Sequence, residues 1–131
     1  MELNINGQVY KFAFNMGFMR EINKRVSVPV DGIKDEKRNI GFNYKVTGVI
    51  EGDIEDLCEV LDCANKTFEP RVTKELLDDL IDNETTDIDK LFNDVIEGLK
   101  NANATHKAMK NTLEEYEILK AQQKAKMEQM I

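Results

Sequence analysis

The chain has 131 residues, a net charge of −7, 41% hydrophobic and 33% charged residues, and a pI near 4.8. That length fits one domain over residues 1–131, and the mix is too apolar for wholesale disorder. An acidic chain gains little from counterion release, and its densest basic clusters, "NKRV" and "KDEKRN", are small or interrupted by acids, which argues against nucleic acid as a partner. No apolar run approaches the roughly 18 residues that span a bilayer. The opening "MELNING" lacks the basic and apolar regions of a signal peptide, so the expected place is the cytosol.

In chain order, Asn6-Gly7 comes first. It is a strong hairpin signal, because a type I′ turn needs φ > 0 at both central positions. A two-residue loop sets Ile5 opposite Gln8, Asn4 opposite Val9, Leu3 opposite Tyr10, Glu2 opposite Lys11 and Met1 opposite Phe12. Alternation then collects Met1, Leu3, Ile5, Tyr10, Phe12 and Phe14 on one face. A lone hairpin is marginal, so this face must rest on something. The helix expected over 16–26, capped by Asn15, offers Phe18, Met19, Ile22 and Val26 as cover, with Glu21 and Arg25 paired outside. "SVPVDG" breaks that helix and "IKDEKRN" reads as a solvated loop.

Residues 40–50 carry two patterns at once. Ile40, Phe42, Tyr44 and Val46 alternate as in a strand, while Phe42, Val46, Val49 and Ile50 form a helical stripe. The later segments are plainer. Asp53 caps a helix with Ile54, Leu57, Cys58 and Leu61 on one side. Thr73 caps another, bearing Leu76, Leu77, Leu80 and Ile81. Thr86 or Asp87 opens a third, with Ile88, Leu91, Phe92, Val95 and Leu99 at helical spacing. A long final helix is expected from Asn103 onward, with a thin apolar side and a last ten residues that fray. The fold class is therefore α+β: a β-hairpin over 1–14, a helical core over 15–101 and a C-terminal helix over 102–131.

Nothing in the chain assembles a catalytic set. His106 stands alone, and it reads as a solvent-facing residue at the start of the long helix. Cys58 and Cys63 lie about 140° apart around a helix, which suits two reduced thiols better than a disulfide. The acidic pairs Glu51/Asp53, Asp78/Asp79 and Asp87/Asp89 fall in caps, turns and outer faces. "DNETTDID" lacks the central Gly and closing Glu of a calcium loop. Gly48 and Gly52 are isolated, without the Lys-Ser/Thr of a phosphate loop. Neither metal nor cofactor is expected, and the reading is a non-enzymatic binding protein.

The order of segments carries a resemblance. "MELNINGQVYKFAFNMGFMREINKRV" resembles the opening of the tail assembly chaperones of long-tailed phages of Gram-positive bacteria, where an "I/L-x-I-N-G-x-x-Y" hairpin leads into an "F-x-R/K-E-I/L" helix, matched here by Phe18, Arg20, Glu21 and Ile22. "DIEDLCEVLDCAN", "PRVTKELLDDLID" and "DIDKLFNDVIEGLKNANATHKAMKN" continue the likeness over nearly the whole chain. The resemblance implies a protein of the infected or lysogenic cell's cytoplasm, absent from the virion. It would bind the tape-measure protein, help recruit tail tube protein and self-associate. It also implies helix over residues 34–47. Many such proteins have a longer frameshifted form; this chain, ending at Ile131 without a second domain, would be the short form or come from a phage without the shift. The thin stripe of the last helix, Met109, Leu113, Tyr116 and Leu119, is the candidate partner-binding surface, and the hairpin's edge strand is a second. The rival reading is a small phage or bacterial regulatory protein that binds a host protein.

Overall fold

In a computed structural model that describes residues 1–130, the chain opens as the turn chemistry dictates. Strands β1 (Glu2–Ile5) and β2 (Gln8–Lys11) pair antiparallel with Glu2 opposite Lys11 and Ile5 opposite Gln8. Asn6 and Gly7 take φ of 52° and 83° at the turn. Met1 and Phe12 extend the ladder by exchanging N–H···O bonds of 3.0 and 2.8 Å. Ile5, Tyr10, Phe12 and Phe14 are buried, so the expected face is the inner one. Gly7→Val puts a β-branched side chain at positive φ, where each residue costs at least about 1–2 kcal/mol. A thermal melt should fall by several degrees; an unchanged melt contradicts the turn.

What the hairpin rests on differs from expectation. β1 runs beside α4 (Lys74–Asp82), and the exit from β2 is held by the end of α3 (Ile54–Ala64) through Ala13 N–H to Ala64 O at 2.9 Å. The expected cover, α1 (Met16–Asn23), meets this segment through an edge-to-face contact of Phe14 on Phe18, centroids 5.1 Å apart. The hairpin is thus a cover for the α3–α4 end of the core.

α1 starts where Asn15 predicts, with the Asn15 side chain accepting from Phe18 N–H at 3.0 Å. It ends at Asn23, not at Val26. Residues 27–39 then form a second antiparallel ribbon, β3 (Ser27–Pro29) with β4 (Lys37–Asn39), in place of the solvated loop, and the helix implied from residue 34 begins only at Gly41. Every residue of both strands is exposed. No face is buried, so there was no alternation for the sequence to display. Pro29 is tolerated because a two-stranded ribbon consists only of edges.

The two-way pattern of residues 40–50 resolves as helix α2 (Gly41–Ile50). Phe42, Val46 and Val49 are buried, whereas Tyr44 is 59% exposed. The cap of α2 comes from elsewhere: Phe42 N–H donates to the Asn23 side chain at 3.1 Å. A cap supplied across the fold leaves no local sequence signal.

Asp53, Thr73 and Asp87 cap α3, α4 and α5 (Ile88–Asn101) by accepting from Asp56, Leu76 and Lys90 N–H at 3.0, 3.2 and 3.0 Å. α3 buries Leu57, Val60, Leu61, Cys63 and Ala64, while Ile54, expected on the inner side, is exposed. α6 (His106–Gln129) packs on α2 and α5. It begins after a turn in which the buried Thr105 hydroxyl donates to Leu99 O at 2.7 Å. The helix continues to Gln129 with Met130 as its cap; Ile131 lies outside the described residues. The buried side chains of the hairpin and all six helices form one contiguous core.

Candidate interaction surfaces

α6 divides into an anchored half and a projecting half. Met109 is fully buried and Thr112 nearly so, because this turn of the helix faces α2 and α5. Asn43 on α2 strengthens the attachment by donating to the Glu115 carboxylate at 2.9 Å. Leu113 and Tyr116 are half-buried, Leu119 is 55% exposed, and every described residue from Glu117 onward is exposed. At 1.5 Å per residue that is about 20 Å of helix with no side chain in the core.

Of the four residues expected to bind a partner, Met109 is therefore occupied by the core and Leu113 partly so. Tyr116 and Leu119 are accessible, and they line a cleft of about 370 Å³ with Thr47, Glu51, Lys120 and Gln123. The Lys120 ammonium lies 5.4 Å from the Tyr116 ring centroid, within cation–π reach. Beyond them Met127 and Met130 continue the stripe at helical spacing, 67% and 86% exposed. An apolar line that leaves the core and runs out along a free helix has no folding role there.

A second surface was not read from the sequence as a surface. α3 and α4 flank a groove of about 520 Å³ whose floor is Ile54, Cys58, Leu77 and Ile81. Glu55, Glu59, Asp62, Asp78 and Asp82 line it, with Arg25 and Lys74 as the cations. Arg25 is engaged by Asp62 at 2.8 Å, and reaches Glu21, its expected partner, only at 3.7 Å. Glu59 is engaged by Lys45 at 2.7 Å. The Cys58 thiol senses the field of the groove. Burial pushes its pKa up, and the charges of Asp78 and Glu55 push it further. The available signal is a stripe too wide for its core: spacing puts Ile54 and Cys58 on one side with Leu57 and Leu61, whereas they line the groove beside α4.

The other candidates are structural or solvated. Cys58 and Cys63 are both free thiols, and burial pushes Cys63 up to about 12, which keeps it protonated and unreactive at neutral pH. His106 is exposed and its Nδ1 lies 3.1 Å from Lys100 O. Among the described residues no three His, Cys, Asp or Glu side chains converge as a metal site would need, and no helix is long and apolar enough to cross a membrane.

No curated protein and no solved structure matches the chain. A family model described as phage tail assembly chaperone protein, TAC, matches residues 2–114, which takes in the hairpin, the helical core and the anchored half of α6. The chain belongs to the phage tail assembly chaperone family.

Proposed function

We propose that this protein acts in the cytoplasm of the infected or lysogenic bacterium by binding the tape-measure protein and bringing tail tube protein to it, without catalysis and without entering the virion. The observation that carries this reading is the projecting half of α6. Leu119, Met127 and Met130 lie on one side of a helix that the core does not use. A long helical client that aggregates on its own offers apolar strips, and an amphipathic helix can cover them. The net charge of −7 keeps such a complex dispersed. Copies of the chain also associate with one another in this reading.

Truncation tests the assignment, and Met109 and Thr112 set where to cut. A chain ending at Glu117 keeps both buried residues and should melt within a few degrees of the full chain. Its co-purification with tape-measure protein should drop at least tenfold. Undiminished co-purification removes the projecting helix from the binding surface.

A further inference from the structure

The molecule carries two exposed features of opposite charge. The groove between α3 and α4 combines an apolar floor with five carboxylates against two cations. Arg25, one of the cations, is already held by Asp62. Among the described residues, Glu55, Asp78 and Asp82 have no cation within 4 Å. At the opposite end of the sequence, residues 118–130 hold Lys120, Lys124 and Lys126 against one acid, Glu128. This is a basic stretch in an acidic chain. On a helix, Leu119, Gln123, Met127 and Met130 share a stripe, with Lys120 and Lys124 along one border and Lys126 along the other.

We propose that the groove between α3 and α4 receives the projecting end of α6 from a second copy of this chain, with Leu119, Met127 and Met130 on the apolar floor and the lysines against Glu55, Asp78 and Asp82. The inference rests on the self-association included in the reading above, names the two surfaces, and makes a second copy and the tape-measure protein compete for the same stripe of α6. Dimensions agree. The groove follows α3 and α4, about 16 and 13 Å long at 1.5 Å per residue, and the free part of α6 is about 20 Å. α6 is continuous and anchored on α2 and α5, so the occupant comes from another molecule. Because the two surfaces differ, the contact is heterologous and repeats from copy to copy, giving a ring or an open array. A helix of three to four turns covers less than the roughly 800 Å² per partner of a standard interface. The association is therefore concentration-dependent, and salt weakens it.

Charge reversal with cross-complementation tests this. One variant carries Glu55→Lys and Asp78→Lys, the other Lys120→Glu and Lys124→Glu; all four positions are exposed, and far-UV melts verify folding. Sedimentation velocity on the full chain at low salt should show mass increasing with concentration for the unmodified protein. Each variant alone should remain a monomer. An equimolar mixture of the two should associate again, because each groove then meets a tail of opposite charge. A monomeric unmodified protein up to several hundred micromolar overturns the proposal, as does association that neither variant reduces or that the mixture fails to restore. Tape-measure co-purification is scored on the same variants. If the groove variant loses tape-measure protein but still self-associates, the groove belongs to that partner and the proposal fails. If self-association fails while tape-measure binding persists, the function proposed above stands without this interface.

Discussion

Asn65→Leu is expected to lower the melting temperature by on the order of 10–15 °C, the larger of two single-residue effects in this fold. Asn65 is fully buried, and both ends of its amide are used. Nδ2 donates to Lys11 O at 2.9 Å and to Pro70 O at 3.3 Å. Oδ1 accepts from Val72 N–H at 2.6 Å and from the Arg71 guanidinium. One side chain thus ties β2 to the loop between α3 and α4. A leucine leaves Val72 N–H without a partner in the interior, at about 1–3 kcal/mol, and takes the donor from two part-buried carbonyls. Asn65→Asp keeps both acceptor contacts but sets a carboxylate oxygen against the Lys11 and Pro70 carbonyls, so it too should melt well below the unmodified chain. Thermal melts of the three proteins decide this; a leucine variant within 3 °C of the unmodified chain would show the network to be dispensable.

Gly41→Ala is the second large effect, and its cause is steric. Gly41 opens α2 against the end of α1, where an added Cβ would collide with Ile22 O and crowd the Asn23 carbonyl carbon. Backbone atoms cannot rotate away, so α1 and α2 must separate. The strain also falls on the Asn23 side chain that caps α2 through Phe42 N–H. A cost of about 3 kcal/mol is expected, toward the upper end for overpacking. Gly48→Ala is the control, since its Cβ would strike the Asp56 carboxylate, a side chain that can turn at the expense of its 3.4 Å pairing with Lys45. Denaturant melts should rank Gly41→Ala well below Gly48→Ala; the reverse order contradicts the close approach of the two helices.

Local chemistry was legible in the sequence, and cross-fold chemistry was not. The Asn6-Gly7 turn, the register and the caps at Asn15, Asp53 and Thr73 each rest on residues within a few positions of one another, and all are found. The second ribbon escaped because none of its residues is buried. The start of α2 escaped because its cap, Asn23, lies 19 residues before Phe42. The hairpin's resting place escaped because alternation shows which face is inner but not which helix meets it. The candidate surface was half legible. A thin stripe identifies a helix with little to bury, but only packing shows that Met109 belongs to the core and Leu119 to the outside. The acidic groove was present as residues and absent as a shape, since it needs α3 and α4 side by side.

The central claim is that this protein holds a tape-measure protein in solution during tail assembly. The direct measurement is the soluble fraction of the tape-measure protein encoded by the same phage, expressed alone and together with this chain. The account predicts that co-expression moves most of the tape-measure protein from the insoluble to the soluble fraction, in a complex that contains the chain. A tape-measure protein equally insoluble with and without it, or soluble but never bound to it, would contradict the account.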